Sequence, residues 1–143
     1  MSKKAKTDLV VRELYVSLIS GVNLFVVTSD YETMEGFRVF QKMLQADDKS
    51  HEAMFGLGQL NFKIQRYEIA EYWFVKAYTL HRDISYRFWL GVTYMKLFEL
   101  LPITNLNKAK FASFAAKNLQ RCAEDVNCTQ YALFGLILLA ASV

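Results

Sequence analysis

Apolar residues recur at helical spacing through most of the chain, and short polar stretches interrupt them. The first predicted helix covers about residues 7–27 and places its apolar side chains at Leu14, Leu18, Val22 and Phe25. Ser29-Asp30 and Asp47-Asp48-Lys49-Ser50 have the composition of turns and helix caps. With six glycines and a single proline, the chain has few residues that break helices. The pattern predicts an all-α protein.

A Leu-Gly pair recurs after 33 residues, as Leu57-Gly58 and Leu90-Gly91. Small and large apolar residues lie at fixed offsets between and after these pairs, and a further glycine follows Phe134. The predicted repeat positions are Leu57, Gly58, Tyr67, Ala70, Phe74, Ala77, Leu90, Gly91, Tyr94, Ala115, Leu119, Cys122 and Gly135. Such self-similarity is typical of a repeat made of two helices, in which small residues let the backbones approach.

This pattern resembles the tetratricopeptide (TPR) family. The resemblance implies one domain over residues 7–143, built as an α-solenoid of antiparallel helix pairs. About three repeats are expected, at approximately residues 7–47, 51–83 and 84–127, with a half repeat at 128–143. The third repeat departs from the family, because 24 residues separate Gly91 from Ala115 whereas 12 separate Gly58 from Ala70. Pro102 forbids a continuous helix there, so we expect an enlarged turn near residues 99–106.

The last predicted helix has no second helix to cover it, although solenoids usually finish with a polar capping helix. Leu136 and Leu139 are therefore expected to be partly uncovered. Two explanations stay open. The chain is a piece of a longer protein, or this end docks on another chain through these leucines.

In the TPR architecture the first helix of each pair lines a concave face. The resemblance therefore implies a partner-binding groove formed by Phe55, Gln59, Phe62, Lys63, Phe88, Trp89, Val92, Met95 and Lys96. An apolar, aromatic groove with a few lysines suits an extended peptide or an amphipathic helix. The alternative is that the N-terminal helix or the superhelix itself buries these side chains.

The composition bears on the choice of partner. Hydrophobic residues make up 53% of the chain and aromatic residues 15%, so some apolar surface is expected to meet a protein partner. The net charge is only +3, and the lysines are scattered apart from those in the polar tail 1–6, which is expected to be disordered. That distribution gives no basic stripe for a nucleic acid. The longest apolar run, Tyr131–Val143, is shorter than the roughly 20 residues that span a membrane.

Groups for catalysis or metal binding do not converge in the sequence. His51 and His81 are thirty residues apart at predicted turns, where each is expected to be a surface or capping residue. Cys122 and Cys128 have no metal or redox spacing, and no phosphate-binding or nucleophile motif occurs. We therefore expect a protein of the reducing cytoplasm that is not an enzyme and needs no cofactor.

The last third of the chain adds a second resemblance. Residues 107–118, a polar turn and residues 131–136 are similar to the second subunit of the ER membrane protein complex, and the likeness covers roughly residues 51–143. It implies a non-catalytic scaffold at the cytosolic face of the ER that holds other subunits of a membrane-protein insertion machine without touching lipid. Two alternatives remain: a TPR subunit of another assembly, such as the anaphase-promoting complex, or a small TPR chaperone that shields a hydrophobic client segment.

Overall fold

The computed structural model describes residues 30–125 together with Gly135, Leu136 and Ala140. The continuous part forms α1 (Asp30–Ala46), α2 (His51–Lys63), α3 (Tyr67–Leu80), α4 (Ile84–Leu100) and α5 (Asn107–Ala123). No strand occurs among the described residues, so the prediction of an all-α protein is confirmed for this part of the chain. The tail 1–6, the predicted first helix at 7–27 and Leu139 lie outside the described residues.

Polar residues cap the starts of α2 and α4, and the sequence predicts the first of these caps. The Ser50 hydroxyl accepts a hydrogen bond from the Ala53 amide at 3.2 Å. The Asp83 carboxylate accepts from the hydroxyl of Ser85 at 2.6 Å and from its amide at 2.8 Å. Because these two bonds favour the ionised carboxylate, the pKa of Asp83 lies below its ordinary value.

Each helix packs against the next along the chain and runs antiparallel to it. Along α2 and α3, Phe62 contacts Tyr67 at the linked ends, whereas Phe55 contacts Phe74 farther from the link. The same order holds between α4 and α5, where Lys108 lies over Phe98 near the link and Arg87 bonds Asn118 far from it. The extensive backbone contacts among described helices all join consecutive helices.

Glycines at two helix contacts leave no room for a side chain. A Cβ on Gly58 would lie 2.5 Å from the Phe74 ring, and one on Gly91 would lie 2.8 Å from Cγ of Leu119. Ala70, Ala77 and Ala115 are fully buried, and so is Cys122, whose Sγ lies 3.6 Å from the carbonyl oxygen of Ile84 at the start of α4.

The twelve extra residues of the third repeat are mostly helical. Helix α4 extends nine residues past Gly91, whereas α2 extends five past Gly58, a difference of four. Helix α5 begins eight residues before Ala115, whereas α3 begins three before Ala70, a difference of five. The α4–α5 link, residues 101–106, is only three residues longer than the link at 64–66. Leu97 and Phe98 are buried, and Phe111 packs against the core, so apolar contact extends both helices. The enlarged turn is therefore shorter than predicted.

Aromatic side chains join α2 to α4, and these two helices run parallel. His51 meets Tyr86 and Phe55 meets Trp89, with centroid separations of 5.8 and 6.2 Å. These pairs are 35 and 34 residues apart in the chain, close to the 33-residue recurrence of Leu-Gly. The main core cluster spans α2 to α5 and includes Phe74, Trp89, Met95 and Leu119.

Candidate interaction surfaces

Five of the nine predicted groove residues are core residues. Phe62, Phe88, Trp89, Val92 and Met95 are each at most 5% exposed and belong to the main core cluster. The indole of Trp89 lies 5.5 Å from the ring of Phe62 and 5.8 Å from that of Phe74, so the space between α2 and α4 is filled by rings. The expectation that these five side chains line an open groove is therefore wrong.

The other four predicted groove residues are half-buried. Phe55 stacks on Tyr86 with a centroid separation of 4.4 Å. Lys63 donates to the Thr33 hydroxyl at 2.8 Å, and Lys96 lies 3.5 Å from Glu99. These contacts occupy three of the side chains within the fold, and the fourth is Gln59. Their role in partner binding stays a prediction.

The predicted repeat positions lie in or against the core. Tyr67 and Tyr94 are half-buried and pack on the main cluster. The buried positions are Leu57, Gly58, Ala70, Phe74, Ala77, Leu90, Gly91, Ala115, Leu119, Cys122 and Gly135. Of the two leucines expected to dock another chain, Leu136 is half-buried against the main cluster, and Leu139 is outside the described residues. Burial raises the pKa of Tyr94, and the nearby charge of Glu71 and a hydrogen bond with it add to the shift.

One side of α3 carries an outward row of apolar and aromatic side chains. We call it the outer stripe and define it as Ile69, Tyr72, Trp73, Lys76 and Leu80, which recur at helical spacing. Ile69, Tyr72 and Leu80 are 43%, 52% and 47% exposed. The rings of Tyr72 and Trp73 meet edge to face at 5.1 Å, and the Lys76 ammonium lies 5.0 Å above the Tyr72 ring. In the structure Tyr72 is exposed and Trp73 is half-buried.

An open cleft adjoins the outer stripe. This α1–α3 cleft has a volume of about 430 Å³ and lies over α2. Its apolar walls come from Phe37, Leu44, Leu57, Ile69 and Trp73, and its polar walls from Gln41, Gln45, Asn61 and Arg66. Ile69 and Trp73 belong to both features, so the cleft and the outer stripe form one continuous surface.

The α4–α5 link exposes a second apolar surface. Leu100, Ile103 and Leu106, which we call the hairpin tip, are 67%, 91% and 93% exposed. Ile103 and Leu106 border a pocket of about 460 Å³ that Phe98, Ala109 and Ala112 also line. The Lys108 ammonium donates to the carbonyl oxygens of Phe98 at 2.8 Å and Leu101 at 2.7 Å, and therefore ties α5 to the end of α4.

The structure also brings together two histidines that sequence reasoning treated separately. The rings of His51 and His81 stack with a centroid separation of 4.2 Å, and Nδ1 of His51 lies 2.7 Å from the Tyr86 hydroxyl. Burial raises the pKa of Tyr86, and the charges of Asp83 and Glu52 add to the effect. His51 is the first residue of α2, and His81 directly follows α3. The predicted antiparallel pairing of these two helices was therefore the signal that could have brought the two histidines together. No cluster of three or more His, Cys, Asp or Glu side chains suited to a metal occurs within residues that the structure describes.

The chain was compared with protein-family models, with curated proteins and with solved structures. It matches none of them. Among the helices described, none is long and apolar enough to cross a membrane.

Proposed function

We propose that the protein is a non-catalytic TPR-type scaffold that binds partner proteins in a multisubunit assembly. The observation that carries this proposal is the continuous surface formed by the outer stripe and the α1–α3 cleft, on which Ile69, Tyr72 and Leu80 are exposed beside mixed apolar and polar walls. Exposed apolar side chains rimmed by polar residues are typical of protein-binding sites. The antiparallel helix pairs and the parallel placement of α2 and α4 support the TPR architecture.

The cleft favours an amphipathic helix as the bound segment. Its apolar walls would receive the apolar face of such a helix, and the side-chain amides of Gln41 and Gln45 would bond polar groups along its edge. Tyr72 and Trp73 are of the residue types that contribute most to protein interfaces. The Lys76 ammonium, held over both rings, favours an acidic residue on the partner.

The most specific form of the proposal is a platform at the cytosolic face of the ER, within the ER membrane protein complex. The resemblance of residues 51–143 to the second subunit of that complex supports it. A subunit of another assembly, such as the anaphase-promoting complex, and a chaperone for one hydrophobic segment are the competing forms.

The test is purification of the tagged full chain from its own cells in mild detergent, followed by mass spectrometry. The same is done for Ile69→Ser combined with Tyr72→Ala, and for Gln120→Ala on the exposed side of α5 as the matched control. We expect the wild type and the control to retain a set of proteins in fixed ratio, and the stripe variant to lose them. All three should have the same thermal stability, because the changed side chains are exposed.

The identity of the retained set separates the three forms. Several multi-spanning membrane proteins in fixed ratio would support the ER platform, whereas a large assembly without them or one client would favour an alternative. If the stripe variant keeps the whole set, or if the wild type retains no stoichiometric partner, the scaffold proposal is wrong.

A further inference from the structure

The hairpin tip presents aliphatic side chains on a fixed turn. Ile103 and Leu106 are over 90% exposed, whereas single exposed apolar residues elsewhere on the described surface are less so. The Asn105 amide donates to the Pro102 carbonyl at 2.9 Å, and the Asn105 side chain accepts from the Asn107 amide at 2.9 Å. Together with the two bonds from Lys108, these contacts hold the backbone that carries the exposed side chains.

The tip belongs to a part of the chain that contains basic residues and no acidic ones. Residues 100–123 contain no Asp or Glu and four basic residues, Lys108, Lys110, Lys117 and Arg121. Residues 30–99, by contrast, contain ten acidic and nine basic residues. Over residues 84–125, which include the whole α4–α5 hairpin, there are six basic and three acidic residues, whereas residues 30–83 contain seven basic and nine acidic ones. The excess of positive charge in residues 30–125 therefore lies on the α4–α5 hairpin.

Three of these bases share one side of α5 with Leu106. Lys110, Lys117 and Arg121 follow Leu106 at intervals of four, seven and four residues, and all are exposed. We call this side the basic face. The opposite side of α5, which includes Ala115 and Leu119, packs on α4. Glu99 pairs with Lys96 at 3.5 Å, and Glu124 pairs with Arg121 at 2.9 Å. Because Arg121 shares its charge with Glu124, Lys110 and Lys117 are the principal bases of the basic face.

We propose that the hairpin tip inserts into the interface of an anionic lipid bilayer while the basic face of α5 lies against the lipid headgroups. A protein surface binds such a membrane through two features: exposed apolar side chains that enter the bilayer, and lysines and arginines that contact the anionic headgroups. The hairpin tip supplies the first feature and the basic face the second. Protein hot spots differ, because they are enriched in aromatic residues and arginine. The tip itself has only aliphatic side chains and projects from the fold. This direct contact departs from the expectation that any membrane association runs through partner proteins, and it does not depend on the proposed scaffold function.

The first test is co-sedimentation of the full chain with two kinds of vesicle. One is pure phosphatidylcholine, and the other is an equimolar mixture of phosphatidylcholine and phosphatidylserine. We expect binding only to the mixed vesicles, and weaker binding as salt is raised. Replacing Lys110 and Lys117 by Gln should weaken binding roughly thirtyfold, since each base near an anionic surface contributes about a fivefold effect. Replacing Ile103 and Leu106 by Ser should weaken it at least about tenfold.

Matched controls lie on α1, on α3 and in the α1–α2 turn. Val39→Ser with Val75→Ser removes two exposed aliphatic side chains that belong to neither the hairpin tip nor the outer stripe, and Lys42→Gln with Lys49→Gln removes two exposed charges outside the basic face and the outer stripe. Both controls should bind the mixed vesicles as the wild type does. The basic tail 1–6 is present in every variant and cannot cause a difference between them. Circular dichroism melting checks that each variant is folded.

The second test measures insertion directly. Ile103→Trp places a fluorophore at the tip, and lipids with brominated acyl chains quench its emission only if it enters the bilayer. The wild type, which has Trp73 and Trp89 away from the tip, should be quenched much less. The proposal is wrong if the serine variant of the tip binds as tightly as the wild type, if the chain shows no preference for phosphatidylserine, or if the introduced indole is not quenched. Loss of an acidic protein partner alone, with vesicle binding unchanged in the serine variant, would assign the tip to a protein contact instead.

Discussion

The ring of Phe74 occupies the space that a side chain at Gly58 would need. A Cβ on Gly58 would lie 2.5 Å from Cδ1 and Cε1 of Phe74. Phe74 is fully buried at the α2–α3 contact, and therefore cannot rotate away without disturbing the core. Gly36 in α1 differs, because its Cβ would lie 3.0 Å from a terminal methyl group of Leu60, a half-buried and flexible side chain.

These two glycines give a matched pair of substitutions. Gly58→Ala should lower the free energy of unfolding, because overpacking costs about 1–3 kcal/mol while the gain in helix propensity is only about 1 kcal/mol. Gly36→Ala should be neutral or slightly stabilising, because Leu60 can move. Urea denaturation of both variants measures the difference. A Gly58→Ala variant as stable as the wild type would show that α2 and α3 do not approach as described.

Replacement of Trp89 tests whether the predicted groove is filled. Because the indole is 5% exposed and contacts rings from α2 and α3, Trp89→Ala should cost about 3–5 kcal/mol of unfolding free energy. Tyr72→Ala, at a position 52% exposed, should change it by about 0.5 kcal/mol or less. Thermal and urea melts compare the two. If Trp89→Ala unfolds like the wild type, the side chain is not in the core.

Asp83 should make the stability of the fold depend on pH through the start of α4. Its lowered pKa means that the ionised carboxylate stabilises the fold above the unfolded-state pKa of about 3.9, and that this stabilisation is lost as pH falls through the folded-state pKa. Asp83→Ala should cost about 1 kcal/mol near neutral pH through loss of the cap.

Asp83→Asn separates the charge from the cap. Its deficit relative to the wild type should be present at pH 6 and should begin to shrink below about pH 4, where the carboxylate of the unfolded chain becomes protonated, and it should disappear once the folded-state carboxylate is protonated too. Asp48→Asn, an exposed residue of the α1–α2 turn, is the control for the charge change. Urea midpoints measured at several pH values report the result, and a deficit that stays constant down to about pH 2 would contradict the role of the charge.

Lys108 should stabilise the end of α4. Its two hydrogen bonds to carbonyl oxygens and its position 4.2 Å above the Phe98 ring predict that Lys108→Gln costs about 1–2 kcal/mol. Amide hydrogen exchange should also quicken in the last turn of α4. Lys110→Gln is the control, because that ammonium lies over the ring of Phe114, in the same helix, at 5.6 Å. Equal exchange in the two variants would rule out the tie between α5 and α4.

Much of the helical framework could be predicted from the sequence, because its signals are local. Ser50 and Asp83 mark helix starts by their own hydrogen bonds, and Gly58 and Gly91 mark close approaches by the absence of a side chain. The open groove could not be judged in this way. Helix α4 is buried on nearly every side from Tyr86 to Phe98, so its sequence has no polar face that would show which side is open.

The surfaces depend on contacts between distant parts of the chain. His51 and His81 meet because α2 and α3 are antiparallel, and no local motif around either histidine predicts this contact. The lysines of α5 looked scattered along the chain, although Lys110 and Lys117 lie on one side once the helix forms. Exposure of Ile103 and Leu106 depends on how the link turns, which apolar periodicity does not predict.

Because Cys122 is buried, the reactivity of its thiol can report the opening of the α4–α5 hairpin. The thiol lies inside the α4–α5 contact, so an alkylating reagent can reach it only while α5 is lifted from the start of α4. With Cys128 replaced by Ser, the labelling rate under native conditions therefore measures how often that helix leaves its place. A membrane or protein partner that holds α5 in place would slow the labelling. Measured at several partner concentrations, the ratio of the two rates would give the dissociation constant without any added probe on the binding surface.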